Sequence, residues 1–206
     1  MTSPTVFIVD DDDAARDSLA MLLQLKGYSA RTFATAEDFL ETYRPEWPGC
    51  LVLDLRMGGM SGIELQAELA RRDVPLPIIV VSAHGDVPTT RATLKAGAVD
   101  FIEKPIDHEA LLAAIGAAFD RDARERARAS ARSGLDERLA RLTAREREVL
   151  NLVVDGRHSR EIASLLGISP RTVEVYRSRL MEKLQVRRVP ELVKLALEAG
   201  SATAMR

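Results

Sequence analysis

The stretch that decides the fold of the first half of this chain is Val6-Phe-Ile-Val-Asp-Asp-Asp12, in which four apolar residues run directly into three carboxylates. Four more short apolar runs follow, and segments with helical periodicity separate them. Strand patterns that alternate with helix-length segments predict βα units and a parallel sheet. The predicted strands are Val6–Val9, Ala30–Phe33, Cys50–Leu53, Ile78–Ser82 and Phe101–Ile102, and the predicted helices lie near residues 14–26, 36–43, 62–72, 87–96 and 107–119. We therefore predict an α/β domain with a doubly wound, five-stranded parallel sheet over residues 1–119.

Polar side chains follow these predicted strands at the points where the strands end. Asp10 and Asp11 come directly after the first strand, and Asp54 comes after the third. Ser82 ends the fourth strand, and Lys104 lies just beyond the fifth. Ligands of doubly wound sheets bind beyond the carboxyl ends of the strands, so we expect these side chains to meet there.

The types of these residues suit the formation of an aspartyl phosphate. Clustered carboxylates repel one another, and Mg²⁺ is a common remedy because it takes carboxylates, waters and phosphate oxygens as ligands. A carboxylate can act as the nucleophile, while a hydroxyl and an ammonium hold the charged product. The alternative is that Asp10–Asp13 merely favour the positive end of a helix dipole. That alternative leaves the positions of Asp54, Ser82 and Lys104 unexplained.

The carboxy-terminal residues 138–206 show helical apolar spacing throughout, which predicts an all-α domain of four helices. A capping box at Thr143–Glu146 opens the first helix, and Ser169 with Pro170 opens the third. Gly167 and Gly200 are placed to end the second and the fourth. The predicted helices are residues 143–155, Ser159–Leu166, Pro170–Leu184 and Pro190–Ala199.

Residues 120–137 are predicted to form a charged, partly helical linker between the two domains. They are rich in alanine, arginine and glutamate, which are good helix formers. Gly134 is predicted to break the helix. A flexible charged tether is the alternative interpretation of the same composition.

The third helix of the second domain has the position of a DNA-recognition helix. Val173, Leu180 and Leu184 recur at spacings of seven and four, which is typical of a stripe that faces a core. The other positions would face a DNA groove, although a plain helical bundle shows the same two faces. The candidate DNA-binding residues are Arg171, Thr172, Glu174, Val175, Arg177, Ser178 and Lys183.

Charge and composition agree with two domains that have different partners. Residues 1–120 hold 10 basic and 19 acidic side chains, whereas residues 121–206 hold 19 basic and 12 acidic ones. Such an asymmetry favours cation or phosphate chemistry in the first half and nucleic acid in the second. Cys50 is the single cysteine, so an intrachain disulfide is excluded. Without a secretory pattern or a membrane-length apolar run, we expect a cytoplasmic protein with no membrane partner.

Several segments together resemble the response regulators of two-component systems. Those of the first half resemble a receiver domain, which has a flavodoxin-like fold, and those of the second resemble a LuxR-type helix-turn-helix. The chain therefore resembles the FixJ/NarL-type regulators, in particular the FixJ branch. The receiver segments are Val6–Asp12, Leu51–Met57, Met60–Gly62, His84–Pro88 and Ala96–Pro105, and the helix-turn-helix segments are Leu142–Leu150, Glu161–Ala163, Ile168–Val175 and Glu182–Leu184.

This resemblance implies a role for each residue of the acidic cluster. Asp54 would be the phosphoacceptor for a sensor histidine kinase. Mg²⁺ would be held by Asp10, Asp11, Asp54 and the backbone carbonyl of Arg56. The residues that would respond to the phosphoryl group are Ser82, Phe101 and Lys104, with a cis peptide bond between Lys104 and Pro105.

The resemblance also implies the partners. Phosphorylation would cause dimerisation through Arg91, Lys95, Asp100 and Glu103, release of the DNA-binding domain, or both. The protein would then bind double-stranded DNA and act with RNA polymerase, most often in activation. It would take part in its own phosphoryl transfer and dephosphorylation without being a dedicated enzyme.

One segment departs from the receiver pattern, and two other functions stay open. Relatives usually read Arg-Met-Pro-Asp-Met-Ser-Gly where this chain has Arg56-Met-Gly-Gly-Met-Ser-Gly62. Two glycines make this loop more permissive, which could change the rates of phosphoryl transfer or hydrolysis. The alternatives are a metal-dependent phosphohydrolase with Asp10 or Asp12 as its nucleophile, and a receiver that is never phosphorylated.

Overall fold

The structure, a computed structural model, describes residues 3–83 and 86–203. His84 and Gly85, which begin one of the receiver-like segments, lie outside the described residues, as do the first two and the last three positions of the predicted domains. The chain divides into two compact units between Arg126 and Ala127.

The first unit is the predicted α/β domain. Its described residues form one parallel sheet with the strand order β2-β1-β3-β4-β5, which confirms the predicted fold class. The strands are β1 (Thr5–Val9), β2 (Ser29–Phe33), β3 (Gly49–Asp54), β4 (Ile78–Ser82) and β5 (Asp100–Glu103), and the helices are α1 (Asp13–Leu25), α2 (Ala36–Thr42), α3 (Gly62–Arg71), α4 (Val87–Lys95) and α5 (His108–Ala140).

The sheet is covered on both faces because alternate residues of its strands supply two separate cores. Val6 and Ile8 of β1 belong to one core, together with Leu23 of α1. Phe7 points to the opposite face and belongs to the other core, together with Phe39 of α2. This alternation is the two-residue period of a strand. Nearly continuous buried strands such as β3 are expected when helices cover both faces of a parallel sheet.

The strand order brings four carboxyl ends together at one edge of the sheet. Val9 at the end of β1 lies opposite Leu53 of β3, and Ser82 at the end of β4 lies opposite Glu103 of β5. Asp54 ends β3, between these two pairs. The side chains singled out in the sequence therefore all emerge at the same edge.

Asp122 and Arg126 attach α5 to the opposite edge of the sheet. The buried Asp122 carboxylate accepts a hydrogen bond of 3.0 Å from the backbone N–H of Gly49, at the amino end of β3. The Nε of Arg126 lies 2.8 Å from the same carboxylate, and its Nη2 donates to the carbonyl oxygen of Trp47 at 2.6 Å. These bonds satisfy backbone groups that would otherwise be buried without partners.

The second unit contains the predicted helical domain. Its helices after α5 are α6 (Ala144–Val154), α7 (Ser159–Leu166), α8 (Pro170–Leu184) and α9 (Val189–Thr203). The capping box of Thr143 and Glu146 opens α6, and Ser169 caps α8. Gly167 ends α7 in the left-handed conformation with φ of 66°. The sequence signals for these three helix ends are confirmed.

Two glycines do not end helices as the sequence analysis predicted. Residues 120–137 lie within α5, which passes through Gly134 to Ala140, and the backbone of α9 continues through Gly200 to Thr203. Glycine weakens a helix by about 1 kcal/mol relative to alanine, so neighbouring helix formers outweigh it. The predictions of a break at Gly134 and an end at Gly200 are wrong for this reason.

Among the described residues, no helix combines the length and the apolar character that crossing a bilayer requires.

Gly62, the first residue of α3, is expected to tolerate no side chain. A Cβ built there would lie 2.1 Å from the carbonyl oxygen of Asp54, whereas a Cβ at Gly116 in α5 meets nothing within 4 Å. We expect Gly62→Ala to lower the free energy of unfolding by about 2–3 kcal/mol, because backbone must move to make room. Its matched control, Gly116→Ala, should raise it by about 0.5–1 kcal/mol through helix propensity. Urea unfolding followed by circular dichroism measures both, and an unchanged midpoint for Gly62→Ala would contradict the tight approach.

Candidate acidic site and nucleic-acid interface

Three carboxylates meet at the carboxyl edge of the sheet. Asp10, Asp11 and Asp54 each place a carboxylate oxygen within 4.8 Å of the others. Asp10 is 7% exposed and Asp54 is 8% exposed, whereas Asp11 is on the surface. Buried carboxylates at this distance repel one another unless a cation compensates them. The predicted convergence of these residues is present in the structure.

Lys104 supplies a positive charge to the two buried carboxylates. Its Nζ donates to Asp10 Oδ2 at 2.7 Å and to Asp54 Oδ2 at 2.7 Å. Burial lowers the pKa of Lys104, but the hydrogen bonds and charges of the two carboxylates outweigh it and leave the pKa above its usual value. Lys104 is therefore an ammonium at neutral pH. The peptide bond between Lys104 and Pro105 is cis, as the resemblance implied.

A backbone amide donates to each of the three carboxylates. Asp10 accepts from the N–H of Asp12 at 2.9 Å, Asp54 accepts from that of Arg56 at 3.1 Å, and Asp11 accepts from that of Gly58 at 3.0 Å. Hydrogen bonds of this kind stabilise the charged form of a carboxylate and restrict its rotation.

Asp12 has a different task from its neighbours. Its carboxylate accepts from the backbone N–H groups of Ala14 and Ala15 at 2.9 and 3.2 Å, and so it caps the amino end of α1. The alternative explanation of the aspartate run as helix-end chemistry therefore holds for Asp12. A capping role does not suit a nucleophile, so of the two residues that the phosphohydrolase alternative offered, Asp12 is the less suited.

Ser82 and Lys104 lie side by side at this edge, and Phe101 lies below them in β5. Ser82 is 1% exposed, and its carbonyl oxygen accepts from the Lys104 backbone N–H at 2.9 Å. Phe101 is half-buried against the core that contains Phe7. The structure thus brings Asp10, Asp11, Asp54, Ser82 and Lys104 to one edge.

The donor set of the acidic site fits Mg²⁺. Three aspartates offer the hard oxygen ligands that this ion prefers, within a span small enough for one ion. The backbone carbonyl of Arg56 is a predicted further ligand. Arg56 lies two residues beyond Asp54, the last residue of β3, and its N–H donates to the Asp54 carboxylate. That ligand role for Arg56 stays a prediction.

A partly apolar groove lies on α4. It has a volume of about 530 Å³ and is lined by Val87, Thr90, Arg91, Leu94 and Lys95. Val87 is 70% exposed and Leu94 is 43% exposed. The other two predicted dimer residues, Asp100 and Glu103, are exposed on the neighbouring β5.

Helix α8 presents two distinct faces, as its periodicity predicts. Val173, Leu180 and Leu184 are buried in the core of the second unit. The exposed candidate residues are Arg171, Glu174, Val175 and Ser178, and Thr172 is half-buried. The first four remain candidates for contact with DNA, although the Glu174 carboxylate also accepts a hydrogen bond of 2.5 Å from Ser159 Oγ.

Two basic residues of α8 are engaged within the domain. Lys183 Nζ lies 2.6 Å from Oε2 of Glu146 and 3.2 Å from the carbonyl oxygen of Arg141. Arg177 donates to Ser159 Oγ at 2.7 Å and lies 3.3 Å from Glu174. These positive charges are partly compensated before DNA is present.

The buried carboxylate of Glu146 is the reason that Lys183 forms an ion pair within its own domain. Its side chain is 3% exposed, and it also accepts from the backbone N–H of Thr143 at 2.8 Å. Burial raises the pKa of Glu146, but Lys183 and Thr143 outweigh that effect and lower the pKa below its usual value. The sequence predicts the role of Glu146 in the capping box of α6. It does not predict the ion pair with Lys183, because no local pattern indicates a partner 37 residues away.

Comparisons with known proteins agree with this geometry. Residues 6–116 match the profile of the response regulator receiver domain, and residues 140–196 match that of the bacterial regulatory proteins of the luxR family. The transcriptional regulatory protein FixJ of Azorhizobium caulinodans is 46% identical over 97% of this chain and 94% of its own length. FixJ of Rhizobium meliloti is 42% identical over 97% of this chain and 98% of its own.

Solved structures show the same likeness. The response regulator StyR superimposes with a TM-score of 0.89 at 44% identity, covering 96% of this chain and all of its own. Full-length FixJ from B. japonicum gives a TM-score of 0.58 at 39% identity, and the match covers 98% of this chain and 99% of the FixJ chain.

Lys183→Met should destabilise the second unit, because it leaves the Glu146 carboxylate with too little compensation. We expect Lys183→Met to lower the free energy of unfolding by about 1–2 kcal/mol near neutral pH. This value is already reduced for the partial exposure of Lys183. The lowered pKa of Glu146 means that this stabilisation is complete above the usual value of 4.5 and is lost as the pH falls through the lower folded value.

Urea unfolding near pH 7 and near pH 3 measures the difference in stability between the wild type and Lys183→Met. This difference should be smaller near pH 3. The exposed Arg171→Met is the control and should change stability by no more than about 0.5 kcal/mol. Equal effects of the two substitutions would show that the contact with Glu146 contributes nothing.

Proposed function

Because this chain belongs to the response regulators that join a receiver domain to a LuxR-type DNA-binding domain, we propose that it is switched by a phosphoryl group on Asp54. It is a transcription regulator of the FixJ type. The observation that carries the proposal is the position of Asp54, which shares one lysine with Asp10 at the carboxyl edge of the sheet. The donor of the phosphoryl group would be a sensor histidine kinase.

In the proposed phosphoryl transfer, Asp54 acts as the nucleophile. A carboxylate oxygen attacks phosphorus, the P–N bond to the donor histidine breaks, and the imidazole nitrogen takes up a proton. The ammonium of Lys104 stabilises negative charge that collects on the phosphoryl oxygens. Mg²⁺, held by Asp10, Asp11, Asp54 and the Arg56 carbonyl, would supply further positive charge there.

The switch follows from the charge that the phosphoryl group adds. A phosphoryl group brings about −1.5 to −2 charges at neutral pH. Lys104, now shared by Asp10 and Asp54, would pair with the new oxygens, and the Ser82 hydroxyl would turn to donate to them. Phe101 is the aromatic side chain on β5 that would move with Ser82.

We infer that this rearrangement creates a homodimer through the face of α4 and β5. The groove on α4, its exposed Val87 and Leu94, and the nearby charges of Arg91 and Lys95 support such a contact. Asp100 and Glu103 supply opposite charges on β5. An apolar centre with complementary charges around it is the usual anatomy of a protein interface.

Dimerisation suits a small helix-turn-helix domain. Two copies would place their α8 helices in the major groove at half-sites about 34–36 Å apart. The exposed Glu174, Val175 and Ser178 are the candidates to read bases, while Arg171 is a candidate for phosphate contact. Thr172, Arg177 and Lys183 would contribute from the rim of this surface.

We propose the domain limits of residues 1–119, 120–137 and 138–206 for the receiver, the linker and the DNA-binding domain. The two matched profiles, which end and begin within a few residues of these limits, support them. A regulator that binds chromosomal DNA would act in the cytoplasm, and contact with RNA polymerase would make it an activator. A receiver of this kind catalyses only its own phosphoryl transfer and hydrolysis.

Asp54→Asn should abolish labelling by a small phosphodonor such as acetyl phosphate with Mg²⁺, because an amide cannot form the acyl phosphate. The matched control is Asp17→Asn, which changes an exposed aspartate of α1 and should leave labelling unchanged. Phos-tag electrophoresis or mass spectrometry gives the stoichiometry.

Labelling of one phosphoryl group per chain supports the switch. Continuous release of phosphate would support the phosphohydrolase alternative, and no reaction would support a receiver that is never phosphorylated. Light scattering on the same samples tests the dimer, since an unchanged mass after labelling eliminates dimerisation as the switch.

Arg171→Gln should weaken binding to all DNA sequences alike. If this side chain contacts one phosphate, the slope of log affinity against log salt should become shallower by about 0.9. Val175→Ala should instead change the preferred sequence and leave that slope unchanged, because an apolar contact to a base releases no counterion. Fluorescence anisotropy at several salt concentrations measures both, and an unaltered slope for Arg171→Gln would remove this residue from the phosphate contacts.

A further inference from the structure

We propose that the backbone N–H of Gly58 is a positioning group for Asp11 in the acidic site. The inference rests on the proposed function, because it concerns the Mg²⁺ that Asp10, Asp11 and Asp54 would hold. It assigns a purpose to the Gly58-Gly59 pair, which departs from the usual receiver sequence.

Asp11 depends on Gly58 more than its two neighbours depend on any single donor. Asp10 and Asp54 are buried and are each held by Lys104 as well as by a backbone amide. Asp11 is exposed, and its carboxylate accepts a hydrogen bond of 3.0 Å from the backbone N–H of Gly58. Without that bond its carboxylate would sample several rotamers in water.

A proline at position 58 could not make this contact, because proline has no backbone N–H. Proline is the residue that the receiver pattern usually carries there. Alanine would keep the N–H, and a Cβ at Gly58 meets nothing within 4 Å. The distinguishing property of Gly58 is therefore its amide and not its lack of a side chain.

The loop that carries Gly58 is also held on its other side. The N–H of Met60 donates to Glu37 Oε1 at 3.0 Å, which ties the loop to α2. Gly59 between them has φ of 77°, and a Cβ there would lie 3.1 Å from the same Glu37 oxygen. The anchor at Met60 lies two residues from Gly58 and restricts the loop, so the Gly58 amide stays directed at Asp11.

A carboxylate can accept this hydrogen bond and still bind a cation. It has two oxygens with about four acceptor positions, and Gly58 uses Oδ2 only. The amide thus orients a surface side chain in advance and offsets part of its repulsion by Asp10 and Asp54. Groups that orient metal ligands in this way typically change metal affinity by about 10–100-fold.

The test compares Gly58→Pro with the conservative variant Gly58→Ala in the full chain. Isothermal titration calorimetry with MgCl₂ gives the dissociation constant of each protein. We expect Gly58→Ala to bind Mg²⁺ as the wild type does and Gly58→Pro to bind about tenfold more weakly, at the low end of the range because Asp11 is exposed. Circular dichroism without Mg²⁺ shows whether both variants are folded.

Equal affinities of the proline and alanine variants overturn the inference while the proposed function stands. Absence of saturable Mg²⁺ binding to the wild type overturns the metal site of the proposed function, and the inference with it. If Gly58→Pro does not fold, amide exchange decides. The Gly58 N–H of the wild type should be protected and should lose protection in Asp11→Ala; an unprotected or unaffected amide overturns the inference.

Discussion

One ammonium group makes the carboxyl edge of the sheet possible. Asp10 and Asp54 end neighbouring strands and are both less than a tenth exposed, so their charges would repel strongly in the absence of a cation. Lys104 reaches both from beyond β5, at 2.7 Å each. The same lysine is the group that a phosphoryl oxygen on Asp54 would attract. Stability of the resting site and the proposed response to phosphorylation would thus depend on the same ion pairs.

Local patterns in the sequence are sufficient to predict most helices and strands and the convergence of the acidic residues at one edge of the sheet. The positions of Asp10, Asp54 and Lys104 after apolar runs were informative because parallel strands share one carboxyl edge. The capping signals at Thr143 and Ser169 were informative because the first turn of a helix must satisfy its own amides. The helix ends predicted at Gly134 and Gly200 are wrong, since a single glycine weakens a helix without ending it.

The contacts that sequence reasoning missed join residues far apart in the chain. Asp122 reaches Gly49 across 73 positions, and Lys183 reaches Glu146 across 37. No periodicity encodes such pairs, because they depend on how complete elements pack. Lys183 shows the consequence for function: its place on α8 suggests a DNA contact, yet its nearest charge belongs to its own domain. Helical periodicity separates buried positions from exposed ones and cannot show which exposed charges are already paired.

The anchor of α5 at Asp122 and Arg126 bears on how the protein can be dissected. The first profile match ends at residue 116, and a fragment cut soon after that point would lack both side chains. The Gly49 N–H and the Trp47 carbonyl would then lose the partners that hold the start of β3. A receiver fragment that keeps both anchors extends past Arg126, into the residues proposed as the linker.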